Sequence, residues 1–183
     1  MYAAERVTFI RYPSVNPQGT RIAFCYQGDI WTAGVDGSAP ERITIHEAYE
    51  TFPQWSPDGE SIAFSSNRYG NNDVYIIPSQ GGVPKRLTFH SAGDQVSHWS
   101  SDSDIVFSTT RVYRQIEWDA EIHAVNPKGG TPERIITALG TQAVVSPDNR
   151  YIAFTRGSCR ISREQYTGPA NKNIWIYDRQ KDE

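Results

Sequence analysis

Apolar and polar residues alternate with a period of two over short runs along the whole chain, as in Ser61-Ile62-Ala63-Phe64-Ser65 and Asn173-Ile174-Trp175-Ile176-Tyr177. That period predicts half-buried β-strands. No window combines a 3.6-residue apolar period with helix caps, so a helical architecture is excluded. The strands are punctuated by a recurring phrase. In Trp55-Ser56-Pro57-Asp58-Gly59, proline presets φ, aspartate bonds to the local backbone and glycine takes the positive-φ position, which makes a tight turn before Ile62-Ala63-Phe64. The phrase returns at Asn16-Pro17-Gln18-Gly19 and Ser146-Pro147-Asp148-Asn149, and in worn form at Ser100-Ser101-Asp102-Ser103, each time ahead of an Ile-Ala-Phe or Ile-Val-Phe strand.

The spacing of these turns sets the architecture. Pro17 to Pro57 is 40 residues, Pro57 to Ser101 is 44 and Ser101 to Pro147 is 46. Four short strands per unit of about 40–45 residues is the period of propeller blades. The expectation is an all-β propeller with four-stranded antiparallel blades in a single partial domain over 1–183, with repeats at approximately 12–44, 52–88, 94–137 and 142–183. Each unit reads as turn, inner pair, a third strand such as Asp73-Val74-Tyr75, and an outer strand such as Lys85-Arg86-Leu87-Thr88; the fourth unit lacks that outer strand. Trp55, Trp99, Phe64, Phe107 and Phe154 are expected to pack between blades, with truncation of Trp55 costing about 3–5 kcal/mol. Glu5-Arg6-Val7-Thr8-Phe9 repeats the outer-strand phrase, so the leading strand either zips onto the last blade or lies beside the first. We expect an arc of a larger six-bladed ring, with self-association through its open blade edges.

Composition adds exclusions. Aromatics reach 12%, and 14 glycines with 11 prolines suit many strands joined by turns. A net charge of −3 argues against a dedicated nucleic-acid binder. Cys25 and Cys159 form neither a disulfide framework nor a metal cluster, and no run approaches the ~18 apolar residues of a membrane span. Met1-Tyr2-Ala3-Ala4-Glu5 lacks the basic and apolar regions of a leader, which places the chain in the cytoplasm, or in the periplasm if a leader has been removed.

Candidate chemistry is sparse. There is no Gly-x-Ser-x-Gly elbow, and His46-Glu47 lacks the second histidine of a zinc helix, so no catalytic, metal or cofactor residue is assigned. His46, His90, His98 and His123 are scattered and read as structural, and Asp58 and Asp148 as turn formers. The connection from second to third strand, however, lengthens from four residues to eight, thirteen and eighteen along the chain. In an up-and-down blade these loops leave from one end, where binding usually resides. The third holds Arg111, Tyr113, Arg114 and Trp118, and the fourth Arg156, Arg160, Arg163 and Tyr166. Arginine with tyrosine and tryptophan is the composition of a recognition surface, the alternative being merely solvated loops. As surface residues, the arginines should cost about 0.5 kcal/mol or less on truncation.

The succession Trp-Ser-Pro-Asp-Gly, Ile-Ala-Phe, Asp-Ile-Tyr, Gly-Gly and Arg-Leu-Thr resembles the TolB-type, WD-like propeller repeats. Arg11-Tyr12-Pro13, Gly28-Asp29-Ile30-Trp31, Asn67-Arg68-Tyr69-Gly70-Asn71 and Lys85-Arg86-Leu87-Thr88-Phe89-His90-Ser91 are similar to the amino-terminal propeller of bacterial tricorn-like proteases. The third and fourth turns depart from the pattern at Ser101, Ser103 and Asn149, and Val15 and Val145 stand where tryptophan is usual. The resemblance implies a non-catalytic propeller that binds a peptide or protein and gates or channels it to a serine-protease domain elsewhere in the parent chain. Two alternatives share the repeat: a free-standing TolB-like interaction module, and the propeller of a prolyl-oligopeptidase-type hydrolase.

Overall fold

The computed structural model describes residues 9–112, 119–157 and 172–183, and within them the chain forms four antiparallel sheets. Blade 1 comprises β1 (Arg11–Val15), β2 (Arg21–Tyr26), β3 (Asp29–Gly34) and β4 (Glu41–Arg42). Blade 2 comprises β5 (Glu50–Trp55), β6 (Ser61–Ser66), β7 (Asp73–Pro78) and β8 (Lys85–Arg86). Blade 3 holds β9 (Asp94–Trp99), β10 (Ile105–Thr109), β11 (Glu121–Val125) and β12 (Glu133–Leu139), and blade 4 has β13 (Thr141–Val145), β14 (Tyr151–Arg156) and β15 (Asn173–Asp178). Each sheet runs in simple sequence order, and the inner strands pack in succession, β1 on β5, β5 on β9 and β9 on β13. This is a four-bladed, propeller-like arrangement whose fourth sheet has three strands.

The turn phrase does what its chemistry requires. In blade 2 the Ser56 hydroxyl donates to Asp58 and accepts from the Ser61 amide at 2.9 Å, while Asp58 accepts from the Glu60 amide at 2.9 Å. Ser100 with Asp102, and Ser146 with Asp148, repeat the arrangement. In blade 1, Asn16 Oδ1 serves both roles, accepting from Thr20 and Arg21. The closing residue is left-handed in every copy, with φ of 69° at Gly19, 77° at Gly59, 72° at Ser103 and 57° at Asn149. The serine bond holds the Asp58 and Asp148 carboxyls below their ordinary range.

The Arg-Ile-Thr phrase is only half a strand. β4 and β8 stop after two residues, because Ile43 and Leu87 then turn into the core. Thr44 and Thr88 turn with them, and their hydroxyls accept the amides of Ile30 and Val74 at 2.9 Å. The threonine hydroxyls thus take the place that the carbonyls of a continued outer strand would fill for these third-strand amides. β12 alone runs as a full strand of seven residues. The expected leading strand at 5–9 lies almost wholly outside the described residues; Phe9, its last residue, is exposed.

Three cores lie between successive blades. Ala23, Cys25, Ile30 and Ile43 of blade 1 meet Trp55, Ile62, Phe64, Tyr75 and Ile77 of blade 2. Val74 and Leu87 of blade 2 meet Trp99, Ile105 and Phe107, and Ile122 and Ile136 of blade 3 meet Val145, Ile152 and Phe154. All five aromatics expected between blades are there. Trp55 also bridges blades through its indole N–H, which donates to the Ser14 carbonyl at 3.0 Å. Burial pushes the Cys25 thiol up to about 12, so it is an inert core group. The pattern breaks at the far face of blade 4. Register aligns Ile30, Val74, Ile122 and Ile174 at one blade position. The first three are 0% exposed, whereas Ile174 is 80% and Ile176 67% exposed. Blade 4 thus carries the apolar face of an inner blade, and none of the described residues covers it.

Candidate functional site

Strand order sorts the chain into two ends. The first-to-second-strand turns gather at one end, and the second-to-third-strand loops, with the links between blades, leave from the other.

At the loop end the blades are stitched by backbone bonds that recur in register. Glu50 N donates to Gly28 O at 2.8 Å, Asp94 N to Asn72 O at 2.7 Å, and Gly140 N to Ala120 O at 2.7 Å. These bonds bring a carboxylate from the third strand of one blade beside one from the inner strand of the next: Asp29 with Glu50, and Asp73 with Asp94. All four are buried, and each has its own guanidinium: Arg42 on Asp29, Arg68 on Glu50, Arg86 on Asp73 and Arg111 on Asp94. Paired charges are tolerated in such places, single ones are not. Burial raises the Glu50 carboxyl above its ordinary value, with the neighbouring Asp29 adding to the rise. Asp73 is pushed up to about 6, again mainly by burial; Arg86 stands 2.7 Å from Oδ2 but off the line of a hydrogen bond, so neither carboxylate oxygen has an aligned donor. His123, whose ring is tilted 30° to that of Phe107 at 5.9 Å, is held down to about 4 by burial and by the Arg111 charge.

Of the eight residues expected to form a recognition surface, two lie among those described. Arg111 is committed inward: Nη2 donates to both Asp94 oxygens at 2.7 Å, the guanidinium lies over Phe107 at 5.2 Å, and the side chain is 12% exposed. It fastens the loop and is no solvated side chain, which revises its expected cost upward. Arg156 is exposed at the end of β14, over the Trp175 ring at 5.7 Å. Tyr113, Arg114, Trp118, Arg160, Arg163 and Tyr166 lie outside the described residues. The loops that carry them start from Thr109 and Arg156 at the loop end, so their anchors share one end of a rigid scaffold.

At the turn end the four inner strands converge on a mouth of about 380 Å³. Val15 and Pro17, Trp55 and Pro57, and Trp99 and Val145 bring apolar walls from all four blades, and Gln54 and His98 supply polar groups. Burial lowers the His98 imidazole below its ordinary value, so it presents a neutral ring there. By their sequence context the tryptophans are expected in the core and the prolines in turns. They are both of these, and mouth lining too, which only the convergence of blades reveals. The remaining histidines are local caps: Nδ1 of His46 and of His90 accepts the amides of Ala48 and Ala92 at 2.9 and 3.0 Å. Among the described residues, no group of three or more His, Cys, Asp or Glu could hold a metal ion.

Comparison with known proteins fits this geometry. Tricorn protease homolog 1 of Streptomyces coelicolor is 34% identical over 70 residues, which are 38% of this chain and 6% of that protein. The crystal structure of the tricorn protease matches with a TM-score of 0.74 and 20% identity, over 93% of this chain and 17% of that one. The crystal structure of TolB from Acinetobacter baumannii matches with a TM-score of 0.70 and 19% identity, over 92% of this chain and 41% of that one. The structural likenesses show a shared TolB-like propeller fold, and the chain spans only a small part of its tricorn relatives. The tricorn protease N-terminal beta propeller domain model matches residues 7–183, from before β1 to beyond β15, and the chain therefore belongs to that propeller family.

Proposed function

We propose that this chain is a non-catalytic propeller that binds peptide or protein, and that it serves as the amino-terminal gating or channelling part of a tricorn-like protease. The observation that supports the reading is that Thr109 and Arg156, from which the two long loops start, lie at one end of four stacked blades, and that the sequence of those loops is rich in arginine and aromatic residues. Two further features support it. The axial mouth is apolar with few polar groups, as suits an extended chain. The uncovered isoleucines of blade 4 fit an arc continued by further blades, since the same position is closed off in every other blade. The test is a fluorescence-anisotropy titration of a labelled peptide mixture, run beside a hydrolysis assay. Binding without turnover is expected, and Arg160→Ala with Arg163→Ala should weaken it about tenfold at unchanged melting temperature. Peptide cleavage that persists through purification, or binding untouched by the double substitution, overturns the proposal.

A further inference from the structure

A recess of about 650 Å³ lies on the outer rim of blade 2, away from the axis. The six-residue segment between β6 and β7, which follows Ser66, supplies Arg68 and Tyr69; β7 supplies Tyr75, β8 supplies Arg86, and Phe89 follows β8. Two guanidinium groups line this recess and no carboxylate does. Their counter-ions stand behind them. Nε and Nη2 of Arg68 donate to Glu50, while Arg86 donates through Nε to the Thr88 carbonyl at 2.8 Å and sets Nη2 against Asp73. Both guanidiniums are thereby oriented, and among the described residues neither Nη1 has a hydrogen-bond partner. The Arg86 guanidinium carbon lies 4.7 Å from the centre of the Tyr69 ring and 4.7 Å from that of Phe89, and these residues are 70% and 72% exposed. Rings that cover a cation and yet face solvent form a flat apolar wall beside a positive charge.

Two more groups point the same way. His46 lines the recess, and because its Nδ1 accepts the Ala48 amide, the neutral ring carries its proton on Nε2. Tyr75 is buried, and its hydroxyl finds no partner among the described residues; an unpaired buried hydroxyl is a cost that a ligand can remove. Nor is the recess a by-product of the repeat. Blade 1 pairs Arg42 with Asp29 as blade 2 pairs Arg86 with Asp73, but its two-residue connection, Gln27-Gly28, has no counterpart of Arg68 and Tyr69, and Ile45 stands where blade 2 has Phe89.

We propose that this rim recess binds an organic oxyanion carried on a flat apolar body. Arg68 and Arg86 take the carboxylate or phosphoryl head, and Tyr69 and Phe89 take the body. This site is built from blade 2 and the segments that flank it, shares no lining residue with the axial mouth, and does not depend on the peptide reading.

The test uses the whole chain with 13C-labelled tyrosine and phenylalanine, titrated with 3-phenylpropionate and with phenyl phosphate while ring resonances are followed. At least one should saturate and shift Tyr69 and Phe89, and the tighter of the two identifies the head group. The neutral 3-phenylpropionamide and inorganic phosphate should each bind at least about tenfold more weakly, since each lacks one of the two contacts. A Phe-Glu dipeptide blocked at both ends distinguishes the source: tighter binding than the free acid assigns the anion to a polypeptide, weaker binding to a small molecule. Phe89→Ala changes an exposed residue, and Tyr75→Phe removes an unsatisfied hydroxyl, so both variants fold; each should weaken binding about fivefold or more. Equal binding of acid and amide, unchanged affinity in either variant, or no shift with any of these anions overturns the assignment.

Discussion

Replacing Arg111 by alanine removes the sole donor, among the described residues, that reaches the Asp94 side chain. Asp94 is fully buried at the start of β9, it receives both of its side-chain hydrogen bonds from Arg111 Nη2 at 2.7 Å, and its like-charged neighbour is Asp73. A surface arginine would cost almost nothing, because water replaces its partner. Here water does not reach the carboxylate, so the substitution leaves an uncompensated buried charge, a defect of about 3–5 kcal/mol. Contact between the guanidinium and Phe107 is lost as well. For a chain of this size the corresponding drop in Tm is roughly 10 °C. Urea unfolding of wild type, Arg111→Ala, Asp94→Asn and the double variant gives a thermodynamic cycle. The double variant should be markedly less destabilised than the sum of the singles, because removing both charges removes the orphan. Arg156→Ala is the comparison, an exposed arginine expected to stay within about 0.5 kcal/mol. A loss below about 1 kcal/mol for Arg111→Ala, or additive singles, refutes the claim that this loop arginine is part of the blade-to-blade fastening.

Two groups should oppose each other in the pH dependence of stability. His123 takes its proton at about 4 when folded against 6.5 unfolded, so its contribution is present above pH 6.5 and is lost as pH falls toward 4. Asp73 protonates at about 6 when folded against 3.8 unfolded, so its contribution is present below pH 3.8 and is lost as pH rises through 6. His123→Gln should therefore show stability rising by of order 2 kcal/mol on acidification from pH 6.5 to 4, and Asp73→Asn a comparable fall, both read from urea midpoints; two parallel profiles refute the assignment. Ser103 closes the third turn at φ 72° where two other turns have glycine, so Ser103→Gly should stabilise by about 0.5–1 kcal/mol in the same assay, and a loss would show that the hydroxyl or the unfolded-state entropy outweighs the strain.

The blade count, the strand order within each blade, the turns and the aromatic packing were all legible in the sequence, because each depends on residues close together in the chain. Alternation marks a strand, Ser-Pro-Asp-Gly closes a hairpin within four residues, and a fixed period repeats the unit. Where sequence reasoning stopped short, the partner was distant or the role was shared. Arg42-Ile43-Thr44 looked like strand, yet Thr44 leaves the sheet to cap Ile30 fourteen residues away. Arg111 looked like a loop residue free to bind, and is held by Asp94 seventeen residues back. The rim recess was hidden among the second-loop residues, whose arginine and tyrosine are distinctive only once Arg86 and Phe89 stand beside them.

By itself, then, the sequence determined which segments are strands, how they turn and how often the unit recurs, since those are matters of local conformation and side-chain period. The tertiary structure alone decided which charges are buried and which are available. Whether an arginine costs nothing, holds a blade or faces a ligand depends on the carboxylate that an adjacent strand or the next blade brings against it. That proximity is set by stacking the sheets, and the periodicity of either strand carries no record of it.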